Sequence, residues 1–285
     1  MTVSRRGWFT AASTTVLSAI LAGCSWFGAL RHTSAGPTML RVMTYNIQSG
    51  HGNLKATATA IRAAHADVVA LQEVDVHWAE RSGFADQASF LGSELGMHVL
   101  FAPIYRMPAA SGSQPMREFG VALLSRFAIL TWRNDTLTRL STQAPNPVPA
   151  PAPGLLDATL DVRGTRVRVW NTHLDYRADP RVRRQQVAEM VADIGATDQP
   201  TIVFGDLNAT PAAPELAPLL ARLHDAWSPS FGPGFTYPAD SAVKRIDYVL
   251  VSSDFAVRDA TVPAIQASDH RPVIVDLLLT PGGRR

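Results

Sequence analysis

The alternation of apolar and polar positions along the chain predicts a domain made largely of strands. Residues 40–46 alternate between two faces, which is typical of a strand that ends at or near Asn46. Short apolar runs bounded by turn residues predict further strands at 67–74, 119–125, 155–162, 165–172, 201–204, 246–251, 255–262 and 272–278. Apolar positions at helical spacing predict helices at 54–65, 86–95 and 180–194.

Two segments have no regular period. Residues 104–118 predict a long loop, and residues 142–154 are rich in proline. A proline-rich segment fits either a linker between domains or a surface loop. We interpret 142–154 as a surface loop, because the pattern of a strand resumes at once. Strands that follow one another closely, with few helices between them, predict one layered α/β or α+β domain over residues 39–280.

Polar side chains stand at the ends of these strands with a regularity that indicates one active site. They are Asn46, Glu73, Asn171, His173, Asp175, Asp206, Asn208, Asp247, Asp269 and His270. If the strand ends share one edge, these groups converge in a cleft carried by a rigid scaffold. Each residue alone also has an ordinary structural interpretation as a turn cap, an ion-pair partner or a core histidine. The hypothesis therefore depends on the whole set.

The residue types in this set favour a hard metal ion. The oxygen ligands of Asn46, Glu73 and Asp269 suit Mg²⁺ or Mn²⁺ better than a soft metal. The sequence lacks the histidine motifs of zinc proteases, the Gly-x-Ser-x-Gly motif of α/β-hydrolases and a Walker-type phosphate loop. These absences argue against those three classes of enzyme.

The N-terminus predicts export. The chain has 285 residues, and no apolar block long enough to span a membrane follows its N-terminus, which excludes a polytopic membrane protein. Arg5 and Arg6 precede a short apolar run that ends in small residues, so residues 1–23 predict a signal peptide. The paired arginines resemble a twin-arginine export signal.

The segment Leu-Ala-Gly-Cys at 21–24 resembles the bacterial lipobox. The resemblance implies that Cys24 becomes the lipidated first residue, that residues 24–38 form a tether, and that the protein is exported and anchored to a membrane. Cys24 is the single cysteine of the chain, so it cannot form an internal disulfide. The alternative is an uncleaved signal anchor in which Cys24 has no special role.

The charge of the chain gives little support to a nucleic-acid partner. There are 26 Lys and Arg against 24 Asp and Glu, and Arg5 and Arg6 belong to the predicted signal. The remainder is formally neutral, whereas duplex binding depends on many contacts from basic side chains to phosphates. A local basic cluster, Arg177, Arg181, Arg183 and Arg184, either lines the cleft or forms a solvated helix face.

Six short motifs resemble those of the endonuclease/exonuclease/phosphatase superfamily, and they occur in the family's order. They are Thr-Tyr-Asn-Ile at 44–47, Leu-Gln-Glu-Val at 71–74, Asn-Thr-His-Leu-Asp at 171–175, Gly-Asp-Leu-Asn-Ala at 205–209, Arg-Ile-Asp-Tyr-Val at 245–249 and Ser-Asp-His-Arg-Pro-Val at 268–273. The resemblance implies a four-layer αββα sandwich of two mostly antiparallel sheets flanked by helices, and hydrolysis of phosphoesters with Mg²⁺ or a similar ion.

The resemblance also implies a role for each site residue. Glu73 corresponds to the main metal ligand, with Asn46 beside it and Asp269 as a further acid. Asp206 corresponds to the residue that orients or deprotonates the attacking water, positioned by Asn208. The remaining three correspond to a catalytic histidine, the acid that holds its ring and a second phosphate-contacting histidine, which are His270, Asp247 and His173.

The family does not determine the substrate. We expect a monomeric phosphodiesterase that acts on lipid head groups or other small phosphoesters. One alternative is a nuclease outside the cytoplasm, and another is a non-catalytic surface lipoprotein that keeps the fold as a binding module. The intact set of polar residues favours an enzyme over the binding module.

Overall fold

Twelve strands and four α-helices make up the part of the chain that the structure describes. The structure, a computed structural model, describes residues 36–112, 114–195 and 198–280. The strands are β1 (Thr38–Asn46), β2 (Val68–Val76), β3 (His98–Met107), β4 (Arg117–Ser125), β5 (Ala128–Arg139), β6 (Ala150–Val162), β7 (Thr165–His173), β8 (Thr201–Asp206), β9 (His224–Asp225), β10 (Asp247–Val251), β11 (Phe255–Thr261) and β12 (Val273–Leu279). The helices are α1 (Leu54–Ala64), α2 (Gln87–Leu95), α3 (Arg181–Ile194) and α4 (Ala217–Leu220).

The strands form two six-stranded sheets. The first has the order β11-β12-β1-β2-β4-β3, and the second has the order β5-β6-β7-β8-β10-β9. Each sheet contains one parallel pair, β1 with β2 and β7 with β8, and its other pairs are antiparallel. The predicted pair of mostly antiparallel sheets is confirmed.

Three buried clusters show the order of the layers. One cluster joins inward side chains of both sheets, such as Val42 and Val169, and forms the core between them. A second cluster packs α1 and α2 on the outer face of the first sheet. A third cluster packs α3 and α4 on the outer face of the second sheet. The result is the predicted four-layer αββα sandwich, in which each central strand buries both of its faces.

The two segments without a period are shorter loops than the sequence predicts. β3 continues to Met107 and β4 begins at Arg117, so the predicted loop 104–118 shrinks to residues 108–116. The proline-rich segment 142–154 is a surface loop only as far as Pro149, because β6 begins at Ala150. Residues 150–153 pair with β5 alone, and β7 joins β6 only from Leu155 onward. Within the described ranges, residues 150–153 have no strand on their other edge, so the missing N–H groups of the prolines cost no hydrogen bonds on that edge.

Asn171 connects the two sheets through buried hydrogen bonds. Its Nδ2 donates to the backbone oxygens of Leu71 and Ala122 in the first sheet, at 2.9 Å each. Its Oδ1 accepts from Gln72 Nε2 at 2.7 Å. These bonds fix the position of β7 relative to β2 and β4 in the facing sheet. They lie close to the strand ends that carry the polar residues.

Replacing Asn171 by leucine should destabilise the protein strongly. The leucine would remove three buried hydrogen bonds to the facing sheet, although Gln72 Nε2 keeps its bond to Thr44 Oγ1, and a buried group that loses its partner costs about 1–3 kcal/mol. We expect the free energy of unfolding in Asn171→Leu to fall by roughly 3 kcal/mol or more. Denaturant unfolding followed by circular dichroism measures this. A loss within about 0.5 kcal/mol, typical of an exposed site, would contradict the bridging role.

Several predictions fall on residues outside the described ranges. They are the signal peptide at 1–23, lipidated Cys24 and most of the tether at 24–38. The boundaries 39–280 of the domain and the monomeric state also stay predictions. No helix within the described ranges is both long enough and apolar enough to cross a membrane.

Candidate active site

The ends of the two parallel strand pairs bring the predicted site residues together. In the register of the first sheet Asn46 lies opposite Gln72, next to Glu73, and in the second sheet His173 lies opposite Asp206. β10 runs antiparallel to β8 and begins with Asp247 opposite Asp206. The strand ends therefore face one another at the same edge of both sheets, as the sequence predicts.

Asn46 joins the two sheets at this edge. Its Nδ2 donates to Glu73 Oε1 at 3.0 Å and to Asp206 Oδ2 at 3.1 Å, and the residue is 1% exposed. Its Oδ1 accepts the backbone N–H of Gln48 at 3.0 Å. In this arrangement the amide nitrogen, and not the oxygen, faces the carboxylates. Asn46 thus positions Glu73 and Asp206, and its predicted role as a metal ligand would require the amide to turn over.

Glu73 occupies an irregular position in β2. The pairing of β2 with β4 shifts register between Leu71 and Val74, and Glu73 has a φ of +55°, in the left-handed region. Such a conformation is costly for a residue other than glycine, and it often occurs at functional sites. The irregularity lets buried Gln72 bond across the sandwich while Glu73 reaches the cleft.

Asp206 lies at the centre of the site. Its Oδ1 accepts the backbone N–H of Asn208 at 3.0 Å. Its Oδ2 lies 3.4 Å from His173 Nε2 and 3.6 Å from His270 Nε2. Burial and the neighbouring charge of Asp247 raise the pKa of the Asp206 carboxyl, although the two histidines act in the opposite direction. A raised pKa improves a carboxylate as a proton acceptor.

Asp247 and His270 form a buried pair. Asp247 Oδ2 lies 2.9 Å from His270 Nδ1, and both residues are less than a tenth exposed. Burial alone would lower the pKa of His270, but the charge of Asp247, its hydrogen bond and the charges of Asp206 and Asp269 outweigh burial and raise the pKa to about 10. The ring of Tyr237 lies 4.8 Å from the imidazole, centre to centre. His270 is therefore a cation at neutral pH whose Nε2 proton faces Asp206.

This protonation decides which residues fit a metal ion. Asp206, Asp247 and His270 offer donor atoms within 4.8 Å of one another. A histidine protonated on both nitrogens has no lone pair for a metal, so this trio is better described as a hydrogen-bonding network. Glu73 and Asp269 fit a cation better. Neither forms an ion pair within the described residues, and burial together with the nearby Glu73 raises the pKa of Asp269 despite the opposing charge of His270.

His173 and Asn208 complete the site. Asn208 has a φ of +50°, which asparagine tolerates better than most residues. Its Nδ2 contacts His173 Nε2 at 2.9 Å and donates to the backbone oxygen of Leu174 at 3.1 Å. The side-chain nitrogen of Asn208 donates to Leu174, so it is also the donor in the contact with His173. The Nε2 of His173 therefore accepts, and the ring proton lies on Nδ1. Asn208 thus positions both the imidazole of His173 and, through its backbone, the carboxylate of Asp206.

Gly205 is required by the close packing of β8 against β7. It lies within β8, and a Cβ at this position would meet the backbone oxygen of Thr172 at 2.5 Å. Glycine is therefore needed for the close approach of β8 to β7, which brings Asp206 beside His173.

The basic cluster is divided among the cleft, the interior and the surface. Arg177 pairs with Asp175 and lines a cavity beside the site. Arg183 is buried and pairs with Glu215 at 2.9 Å, and Arg181 pairs with Asp179 at the surface. The cluster as a whole does not form a basic surface.

The sequence does not predict the role of Arg139, which bonds to the backbone of His173 and of β6 next to the site. This buried guanidinium at the end of β5 donates to the backbone oxygens of His173 at 2.8 Å, Pro153 at 3.0 Å and Gly154 at 3.0 Å. β5 is an exposed edge strand with no alternating pattern, so only the three-dimensional arrangement shows its link to the site.

These contacts define what the site can do. Asp206 can accept a proton from a water molecule held near it, and Asn46 and Asn208 fix its orientation. Protonated His270 can donate a hydrogen bond to an oxyanion, whereas the Nε2 of His173 is an acceptor. Glu73 and Asp269 can hold a divalent cation. Attack of water on a phosphoester requires a carboxylate that accepts a proton, hydrogen-bond donors in fixed positions and a hard cation.

Comparison with known proteins agrees with this geometry. The model of the Endonuclease/Exonuclease/phosphatase family matches residues 43–270. An endonuclease/exonuclease/phosphatase from Beutenbergia cavernae DSM 12333 is similar with a TM-score of 0.68 and 25% identity, over 85% of this chain and 72% of that chain. No curated protein matches the chain.

Two further solved structures share the fold. The catalytic domain of human nocturnin, determined with a bound sulfate anion, has a TM-score of 0.65 and 22% identity, over 85% of this chain and 95% of that chain. A mannosyl-6-phosphatase from Bacteroides thetaiotaomicron VPI-5482 has a TM-score of 0.63 and 18% identity, over 84% and 99%. With most of its length matched by the family model, the chain belongs to the endonuclease/exonuclease/phosphatase family of metal-dependent phosphoester hydrolases.

Proposed function

We propose that this protein is an exported, Mg²⁺- or Mn²⁺-dependent hydrolase of small phosphoesters, including those of lipid head groups. The observation that carries the proposal is the position of Asp206, which lies within 3.6 Å of both histidines and is bonded to Asn46 and Asn208. The arrangement combines a proton acceptor and fixed donors around one point, where a phosphoryl group would sit.

The reaction follows from these positions. A water oxygen bonds to phosphorus as one of its protons passes to Asp206, the ester P–O bond breaks, and the displaced alcohol leaves with a proton taken from solvent. His270, held by Asp247, donates to the phosphoryl oxygens, which gain charge. A divalent cation, when bound, offsets the negative charge that repels the attacking water.

The size of the cleft supports a small substrate. A cavity of about 180 Å³ adjoins Glu73 and His173, well below the roughly 300–1,000 Å³ of sites for drug-sized ligands. The mannosyl-6-phosphatase among the similar structures acts on a small phosphoester. Arg177, Arg181 and Arg183 each pair with an acid, so this cluster gives no support to the nuclease alternative.

A hydrolysis panel tests the proposal. The panel contains bis-p-nitrophenyl phosphate, small phosphomonoesters, sphingomyelin, phosphoinositides and DNA, each with Mg²⁺ or Mn²⁺. We expect turnover of small phosphoesters and weaker or no cleavage of DNA. Cleavage of DNA alone would favour a nuclease, and metal-dependent binding without turnover of any member would favour the binding lipoprotein.

Asp247 and His270 should behave as one unit in mutant kinetics. Because Asp247 orients and charges the imidazole, Asp247→Ala and His270→Ala should each lower kcat/KM by roughly 100-fold. The double variant should lose little more than either single variant, since removing one partner already disables the pair. Losses that multiply in the double variant would show that the two residues act independently.

Cys24 should determine membrane attachment. Its position after Leu-Ala-Gly is the basis of the proposed lipid anchor. Cys24→Ser should release the protein into the soluble fraction or leave the signal uncleaved, and Ser25→Ala, beside it, should change neither outcome. Membrane fractionation with mass spectrometry of the N-terminus measures both. Retention of a processed Cys24→Ser protein in the membrane would exclude this anchor.

A further inference from the structure

The cavity beside the catalytic residues has the volume of a single ring. Its volume is about 180 Å³, and Glu73 and His173 form one of its walls. For comparison, an engineered cavity of about 150 Å³ binds benzene. The substrate's alcohol portion, attached to a phosphoryl group at the catalytic site, would extend into this cavity. The cavity has room for an alcohol of about the size of one six-membered ring.

One wall of the cavity is aromatic. Tyr105 and Phe119 lie with their rings stacked, 6.2 Å apart at an angle of 20°. Trp78 packs against both, at 6.3 Å from Tyr105 and 5.8 Å from Phe119. Tyr105 and Phe119 line the cavity, so the cluster gives it an aromatic wall, and Arg81 lies over the ring of Phe119 at 5.6 Å.

The opposite side carries an unused hydrogen-bond donor. Gln186 of α3 lines the cavity and is 1% exposed. Its Oε1 accepts the backbone N–H of Asp175 at 2.9 Å, which fixes the direction of the amide. Its Nε2 has no partner within the described residues. A buried amide donor without an acceptor costs about 1–3 kcal/mol, so a ligand oxygen that accepts from it would recover that energy.

Arg139 makes the floor of the cavity positive. Its guanidinium bonds to the oxygens of Pro153, Gly154, Thr172 and His173, all of them neutral. No carboxylate forms an ion pair with it within the described residues. Burial lowers its pKa to about 10, although nearby acidic groups oppose the fall, so the group stays charged at neutral pH. A buried guanidinium that bonds only to neutral oxygens favours further oxygen atoms as neighbours.

We infer that this cavity binds a hydroxylated six-membered ring, a sugar or a cyclitol, that is joined to the scissile phosphate. The inference rests on the proposed function for the position of the phosphate, and it narrows the substrate class. The aromatic wall takes the flat face of the ring, and Gln186 and Arg139 face its oxygens. Choline and ethanolamine carry no oxygen beyond the ester oxygen for Gln186 and Arg139 to bind, which separates the lipid head groups into two classes.

The first measurement compares phosphomonoesters that differ only in the alcohol. The set is a hexose 6-phosphate, inositol 1-phosphate, glycerol 3-phosphate, phosphocholine and a 5′-nucleotide. We expect kcat/KM for the ring polyols to exceed that for glycerol 3-phosphate by roughly tenfold and that for phosphocholine by roughly 100-fold. Equal rates for all alcohols, or a preference for the nucleotide or for phosphocholine, would overturn the inference.

Two variants connect the preference to the cavity. Gln186→Glu keeps the acceptor for Asp175 and removes the free donor, and Phe119→Leu removes part of the aromatic wall. Each should lower kcat/KM for the ring substrates by roughly tenfold and leave glycerol 3-phosphate nearly unchanged. Gln185→Glu, the same change on the exposed neighbour, is the matched control. Equal losses on ring and open-chain substrates would contradict the assignment.

Binding of the free alcohols separates this inference from the proposed function. Isothermal titration of the folded protein with mannose, myo-inositol, glycerol and choline, without metal, needs no turnover. We expect weak binding of the two rings, lowered in Phe119→Leu, and none of choline. Ring binding without hydrolysis of any phosphoester would support the subsite and refute the proposed function. Hydrolysis without ring binding or ring preference would refute the subsite alone.

Discussion

Asp206→Asn should lower kcat by roughly 100-fold or more and leave KM nearly unchanged. The asparagine is nearly isosteric, so the contact with the backbone N–H of Asn208 can survive. The amide cannot take a proton from water, however, and burial and Asp247 have already tuned the carboxylate for that task by raising its pKa. The loss therefore belongs to the transition state and not to substrate binding.

Measuring the melting temperature on the same preparation separates catalysis from folding. If residues 205–209 served only as a turn, Asp206→Asn would lower the melting temperature and leave kcat per folded molecule almost unchanged. Asp161→Asn is a suitable control, because Asp161 is a carboxylate that bonds to a turn N–H at the far end of β6. That control should retain full activity.

Removal of divalent metal should abolish hydrolysis, and Mg²⁺ or Mn²⁺ should restore it. Glu73 and Asp269 place two carboxylates in one cleft, and the charge of Glu73 contributes to the raised pKa of Asp269. Such a pair is stabilised by a hard cation. The measurement is the rate of p-nitrophenol release in EDTA and after addition of each metal. Full activity in the chelator would contradict the metal assignment.

Glu73→Gln separates the charge of this residue from its shape. Glutamine can still accept from Asn46 through its Oε1, so the local structure should survive. The metal concentration for half-maximal activity should rise by roughly tenfold or more, because one anionic oxygen ligand is lost. Recovery of the rate at high Mg²⁺ would show that the fold and the remaining residues are intact. An unchanged metal requirement would show that Glu73 is not a ligand.

Much of the site could be predicted because it follows from the ends of regular strands. Asn46, Asp206 and Asp247 stand at the ends of strands whose apolar pattern is clear in the sequence, and Glu73 follows the last residue of β2 that pairs with β1. The irregular backbone at Glu73 is not visible in the pattern, because a single shift of register leaves the apolar run intact.

The residues assigned to the proposed ring subsite could not be predicted in the same way. Arg139 is the last residue of β5, an exposed edge strand, and Gln186 is a polar residue on the buried face of α3. Neither belongs to a motif or to a strand end that also carries catalytic groups. Their role depends on where β5 and α3 pack against the second sheet, which is a long-range property that local spacing does not encode.

The direction of β1 has a consequence for how the enzyme meets its substrate. The strand begins at Thr38 and ends at Asn46 in the cleft, so these two residues lie about 26 Å apart, at about 3.3 Å for each interval between residues. Thr38 therefore lies at the edge of the first sheet opposite the edge that carries the site. A substrate can approach the cleft without passing the point at which the chain enters β1.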